Sequence, residues 1–324
     1  MRRRNGLLEL SLATGFMQRQ TESAQYRDLN DVLRILHDEA GYKVLDLNLA
    51  FEFREEFILR GDEWEKKVDM LGDTAAKTGV KFYQCHMPYV KECCRLLDAR
   101  FQKPGYEEYF EECTRRAYAA SARLDIQWAV IHPYTCPELN YENQLSLERN
   151  HLYYDKFVEM GIKSGVGTAI ENMTPSPSGA ISERYCEHYD QLIELADSFH
   201  DPMVGICWDT GHANLAKLNQ KKALMKIGRR LKTLHINDNH GEHRDEHLLP
   251  YMGTVNWNEV TEALAETGYE GSLNYEVGKV SEFAPAEIRT DLAKLAFRNG
   301  LFIKNLLEKA ENTHPGKPGY TISL

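Results

Sequence analysis

Short apolar, β-branched runs recur eight times along this chain, each followed by a longer stretch of helical period. The runs are LLELSLA (7–13), KVLDLNL (43–49), VKFYQCH (80–86), IQWAVIH (126–132), GTAIEN (167–172), VGICWD (204–209), LKTLHI (231–236) and SLNYEV (272–277). Among the stretches between them, DLNDVLRILHDEA (28–40), EEYFEECTRRAYAASARL (107–124), CEHYDQLIELADSF (186–199) and WNEVTEALAETG (257–268) place apolar residues at helical spacing. APAEIRTDLAKLAFRNGLFIKNLLEKA (284–310) closes the series. Strands that alternate with helices pair in parallel, and eight such units in 324 residues predict one closed (β/α)8 TIM barrel. A doubly wound sheet is the competing architecture, but no G-x-G-x-x-G turn follows the first run. The segment from about 311 to 324, with HPGKPGYTISL at its end, reads as a surface arm able to pack on a second copy of the chain.

An apolar content of 42% supports a sizeable core. No stretch approaches the ~20 apolar residues a membrane span needs. The opening MRRRNGLLELSLATGF has the charge pattern of a signal peptide, but Glu9 interrupts the apolar run, so a first strand is expected there. The seven cysteines are an odd number without C-x-x-C, which fits reduced thiols in a cytoplasm, and Cys93-Cys94 reads as a packing pair. With 49 acidic against 39 basic residues the net charge is −10, the opposite of what a phosphate backbone attracts. A small molecule is therefore the expected partner, rather than nucleic acid or a membrane.

In such a barrel the C-terminal ends of the strands converge on one mouth. The runs end in His86, His132, Glu171, Asp209 and Glu276; the seventh carries His235, and His212 follows Asp209 by one turn. Each has an ordinary structural reading. His86 and His132, both close before prolines, suit turns; Asp209 suits a helix cap; Glu171 or Glu276 suits an arginine partner. Together, at the ends of buried runs, they point to a bound cation, which keeps neighbouring carboxylates ionised. Glu171, Asp209, His235 and Glu276 supply three carboxylates and one imidazole. That oxygen-rich set favours Mn²⁺, with Mg²⁺, Co²⁺ or Zn²⁺ as alternatives. The segment LHINDNHGEHRDEHLLP (234–250) concentrates four of the twelve histidines; His235 is assigned to the metal, and Asp238, His240 and His243 to a solvated loop.

AIENM (169–173), CWDTGHANL (207–215), LHINDN (234–239), RDEHLLP (244–250) and NYEV (274–277) resemble the sugar phosphate isomerase/epimerase group, whose members share the xylose isomerase-like barrel. The resemblance implies metal ligands at Glu171, Asp209, His235 and Glu276, and substrate contacts at His212 and Arg244. The superfamily also contains endonuclease IV, with a trinuclear zinc site. His86, His132, His212, Asp245 and His247 occupy the matching places, so Asp245 and His247 either surround the ligands or bind further metal. Two departures stand out. Ketose 3-epimerases carry a glutamate six residues beyond the one matching Glu171, where this chain has Pro177. Relatives often read P-G-x-G where this chain has Pro250-Tyr251-Met252-Gly253, so Tyr251 is expected to add an aromatic wall at the mouth.

The implied activity is a metal-dependent isomerase or epimerase of a sugar, keto-sugar or inosose, working through a metal-stabilised enediolate. Glu171 and Glu276 are expected to take and return the proton, with His212 and Arg244 orienting oxygens. Expulsion of a β-substituent from the same intermediate would make the enzyme a dehydratase or a lyase of 3-keto-glycosides. An endonuclease IV-like phosphodiesterase with three zinc ions is the rival from another class. A metal-binding barrel without catalysis is a third reading, against which the glutamate pair argues.

Overall fold

The structure, a computed structural model, describes residues 8–18, 27–50, 57–89, 103–136, 143–175, 183–242 and 244–313. Eight parallel strands form its centre: β1 (Leu10–Ala13), β2 (Val44–Asn48), β3 (Lys81–His86), β4 (Trp128–Ile131), β5 (Gly167–Glu171), β6 (Val204–Asp209), β7 (Leu231–His235) and β8 (Leu273–Tyr275). The sheet runs β7-β6-β5-β4-β3-β2-β1-β8. Ile236 joins its two ends, pairing with Tyr275, donating to the Asn274 carbonyl at 2.7 Å and accepting from Glu276 N at 3.1 Å. The (β/α)8 barrel expected from the alternation is therefore formed. At least one helix follows every strand, including Trp64–Thr78 after β2 and Asn143–Ser164 after β4.

The strand sequences explain this closure. β1, β5 and β6 are buried at every position. Parallel strands covered by helices outside and side chains inside must read as near-continuous apolar runs. β8 stops one residue short of Glu276 and β4 one short of His132, so both side chains sit just past the paired backbone. The interior is chemically divided. Val130, Ala169 and Cys207, with Trp128 against them, make a small apolar cluster under β4–β6. On the other side Ser11, Asp46, Gln84, Thr233 and Asn274 are all buried, each with an oxygen that takes no hydrogen bond.

The helix Ala286–Thr313 extends into the region expected to be an arm, and 314–324 lies outside the described residues. Pro177, His243, Cys93 and Cys94 also lie outside them. Cys85, Cys113, Cys136, Cys186 and Cys207 are all buried, and Cys85, Cys136 and Cys207 are free thiols. Among the described residues no helix is long and apolar enough to cross a membrane.

Candidate metal centre

The strand ends bring Glu171, Asp209, His235 and Glu276 together, with one ligand atom from each within 4.8 Å of all the others. His235 Nδ1 lies 3.0 Å from Glu171 Oε1 and 3.2 Å from Glu276 Oε2. Asp209 does double duty as the N-cap of the helix Thr210–Leu215: its Oδ1 accepts from His212 N at 2.7 Å. Its Oδ2 accepts from Asn237 Nδ2 at 2.7 Å. Backbone and amide donors thus orient this carboxylate before any ion binds.

Two further groups flank the central one. His86, His132 and Glu171 form the first, and His212, Asp245 and His247 the second. His86 Nε2 and His132 Nε2 face each other at 3.2 Å, and His132 Nε2 is 3.1 Å from Glu171 Oε2. His247 Nε2 lies 2.7 Å from Asp245 Oδ2, and His212 Nε2 lies 3.8 Å from the same oxygen. Cys207 stands beside Glu171 and His235, below the cluster.

The histidine tautomers are set from behind. Nδ1 of His86 bonds the Met87 carbonyl at 2.9 Å, Nδ1 of His212 the Asn172 carbonyl at 2.7 Å, and Nδ1 of His247 the Glu276 carbonyl at 2.7 Å. A carbonyl accepts only, so each Nδ1 carries a proton and each Nε2 faces the mouth, with its lone pair free on neutral His86 and freed on His212 and His247 once a cation displaces the Nε2 proton. Asp245 Oδ1 is buried without a hydrogen-bond partner, and Glu171 Oε2 is buried facing the imidazoles of His132 at 3.1 Å and His86 at 3.7 Å. Convergent lone pairs, buried carboxylate oxygens and donor atoms at this spacing fit a divalent cation.

Charge is uneven across the mouth. Burial and the neighbouring His132 push the His86 imidazole down to about 3, so it is neutral. Burial also acts against a cationic His212, but Asp209 and Asp245 outweigh it and push that group up to about 10. His247 follows the same pattern, pushed up to about 9 against burial by Asp245 and Glu276. Burial lifts Glu276 to about 7. Burial would lift Glu171 too, but His235 and His132 hold it well below the usual carboxylate range.

Other expected residues are placed differently. Tyr251 is exposed and sets its ring 5.6 Å from Phe302, edge on. Its φ of 71° explains why a glycine suits this position. Among the described residues Tyr89 brings an aromatic ring to the cluster, 4.6 Å from His132 and 5.4 Å from His86. Its one sequence signal is its place just beyond the His86-Met87-Pro88 turn. Arg244 is exposed, and its charge acts on Glu246. His240 is solvated as expected, paired with Glu246 at 2.8 Å. Asp238 is not. It is fully buried and accepts from the backbone N–H of Asn239, Tyr251 and Val255 and from Trp257 Nε1, at 2.9–3.0 Å. A carboxylate with four donors organises a loop from within, which the surrounding charged sequence concealed.

Comparison with known proteins agrees with this fold. Residues 36–297 match a family described as xylose isomerase-like TIM barrel. An uncharacterized protein of Methanocaldococcus jannaschii is 33% identical over 169 residues, covering 51% of this chain and 55% of that relative. The chain therefore spans about half the length of this relative. A solved D-tagatose 3-epimerase-like protein superimposes with a TM-score of 0.68 at 21% identity, over 94% of this chain and 99% of the other. The zinc-bound IOLI protein gives a TM-score of 0.68 at 14% identity, over 93% and 99%. At such identities the likeness is one of fold.

Proposed function

The chain belongs to the xylose isomerase-like TIM barrel family, and on that premise we propose that it is a divalent-metal-dependent isomerase or epimerase of a small keto-sugar or inosose. The observation that carries the reading is the pair Glu171 and Glu276, which flank His235 Nδ1 at 3.0 and 3.2 Å. A cation held by Glu171, Asp209, His235 and Glu276, with Mn²⁺ the best match to the donors, would supply the Lewis acidity that makes a C–H beside a carbonyl removable. Glu276 sits close to neutrality in its proton affinity, as suits a group that must both give and take a proton at neutral pH. Glu171 stays ionised and is the partner on the other face. His212 presents Nε2 to the mouth and orients a substrate oxygen, and Tyr89 gives a sugar ring an apolar face. Arg244 contributes to substrate binding only if its loop folds inward over the mouth. The D-tagatose 3-epimerase-like neighbour supports the sugar class. The buried free thiols suit a reducing, cytoplasmic setting.

Solvent-deuterium incorporation, screened over keto-sugars, inososes and 3-keto-glycosides, tests the reaction class. Label at a carbon beside the carbonyl is expected, and its absence with every substrate would sink the reading. Release of a β-substituent in the same assay would identify the lyase variant. Replacing either glutamate with glutamine is expected to lower turnover by about 10²–10⁴-fold in metal-loaded protein.

A second reading has a specific observation behind it. The flanking groups His86–His132–Glu171 and His212–Asp245–His247 are complete as donor sets, which suits a phosphodiester hydrolase with three zinc ions. The net charge of −10 weighs against a nucleic-acid substrate. About three zinc ions per chain by elemental analysis, with cleavage of abasic DNA, would favour the hydrolase; about one manganese or cobalt would favour the isomerase.

A further inference from the structure

Three histidines at the mouth have Nδ1 tied to a main-chain carbonyl and present Nε2. His235 is turned the other way. Its Nδ1 faces the carboxylates of Glu171 and Glu276, and its Nε2 points into the barrel, fully buried and without a hydrogen bond. An imidazole that ligates through Nδ1 carries its proton on Nε2, and that proton needs an acceptor to fix the ring.

Besides Glu171 and Glu276, two groups lie close to the ring, the Cys207 thiol on β6 and the Asp46 carboxylate on β2, and the carboxylate is the stronger acceptor. Asp46 Oδ2 lies 3.7 Å from His235 Nε2, and among the described residues this is the one ion pair Asp46 enters. Asp46 is 1% exposed. Its Oδ2 accepts from Asn274 Nδ2 at 2.8 Å and Gln84 Nε2 at 3.3 Å, while its Oδ1 has no partner. Gln84 also donates to the Leu234 carbonyl, next to His235, at 3.3 Å. Side chains from β3 and β8 thus hold the β2 carboxylate beneath one imidazole of β7. A side chain that only filled this space would be apolar, as Val130 and Ala169 are on β4 and β5.

We propose that Asp46 is a positioning residue for His235: it accepts the Nε2 proton and so keeps Nδ1 as the lone-pair donor to the metal, while Asn274 and Gln84 steady Asp46. This assignment rests on the metal-binding reading above, and it reaches the chemistry through His235 rather than through substrate.

Two variants test it, Asp46→Leu and the isosteric Asp46→Asn, each titrated with Mn²⁺ and Co²⁺ by calorimetry. The Co²⁺ absorption spectrum and the melting temperature of metal-free protein complete the set. Removing the acceptor in Asp46→Leu is expected to raise the metal Kd about 10–100-fold and to alter the Co²⁺ bands. Asp46→Asn keeps an acceptor oxygen without the charge and is expected to fall between Leu and wild type. A purely structural role would lower the metal-free melting temperature and leave Kd and the Co²⁺ bands untouched. Wild-type uptake with Kd within twofold in the variants that fold, and unchanged Co²⁺ bands, would overturn the assignment alone. Should Asp46→Leu not fold, Asp46→Asn decides by the same two readouts. A wild-type protein that takes up neither ion would overturn the metal reading and this assignment with it.

Discussion

Asp238 and Asp209 show how one residue type serves two ends in one fold. Asp209 offers its carboxylate to the mouth while capping a helix; Asp238 turns inward and spends both oxygens on four N–H donors. Those donors come from the stretch 239–257, which also carries Asp245 and His247. Charge-assisted hydrogen bonds of this kind contribute about 1.5–3 kcal/mol each at most, and their loss is partly offset by relaxation and water. Asp238→Ala is therefore expected to destabilise the fold by about 2–4 kcal/mol in chemical denaturation. Exposed His240, two residues further along the chain and paired with Glu246, serves as the control: His240→Ala is expected to be close to neutral.

At the level of elements, the join between β6 and the helix Thr210–Leu215 carries the most constraint. Asn172 bonds Asp209 twice, through Asp209 N to its Oδ1 at 2.6 Å and from its Nδ2 to the Asp209 carbonyl at 3.0 Å. Gly211 lets the helix start against Asn237. A Cβ there would lie 1.8 Å from Asn237 Oδ1. Asn237 would have to move, and it is the donor that holds Asp209 Oδ2. Gly211→Ala is expected to cost about 1–3 kcal/mol of stability and to weaken metal binding roughly tenfold, measured by denaturation and calorimetry. The loop after β7 carries its own strain, with His247 at φ 45° and Tyr251 at φ 71°. The Asp238–Leu248 backbone pair closes that loop with two hydrogen bonds of 2.8 Å. Strained φ values persist where surrounding bonds over-determine them, as they do here.

For the whole molecule, the mouth without an ion is a site of proton uptake on folding. His212 and His247 are pushed up to about 10 and 9, above the ~6.5 of an unfolded histidine. Between those values the folded protein binds more protons than the unfolded chain, so stability falls as pH rises. The contribution is complete below about 6.5 and lost as pH passes through 9 to 10. Glu276, lifted to about 7, acts in the same direction from about 4.5 upward. Chelator-treated protein is accordingly expected to lose melting temperature steadily from about pH 6.5 to pH 10. Metal-loaded protein is expected to show a flatter profile, because the ion replaces the protons as the mouth's countercharge.

The alternation of apolar runs and helical stretches was enough to determine a closed parallel barrel, because strands buried on both faces have no other economical sequence. The same logic made Glu171, Asp209, His235 and Glu276 legible: a charge that ends a buried run is conspicuous. Asp46, Gln84 and Asn274 were equally polar within their runs, but which of them share a layer depends on strand register, and no single run contains that information. Asp238 lay hidden because local charge density suggested solvent, whereas its burial comes from Tyr251, Val255 and Trp257 folding back over it. The place of the Tyr251 ring was hidden for a related reason: a left-handed turn sets it against Phe302. Sequence determined which chemistry the strands deliver to the mouth; tertiary structure alone decided its orientation, because tautomers and lone pairs are set by carbonyls and carboxylates from distant strands.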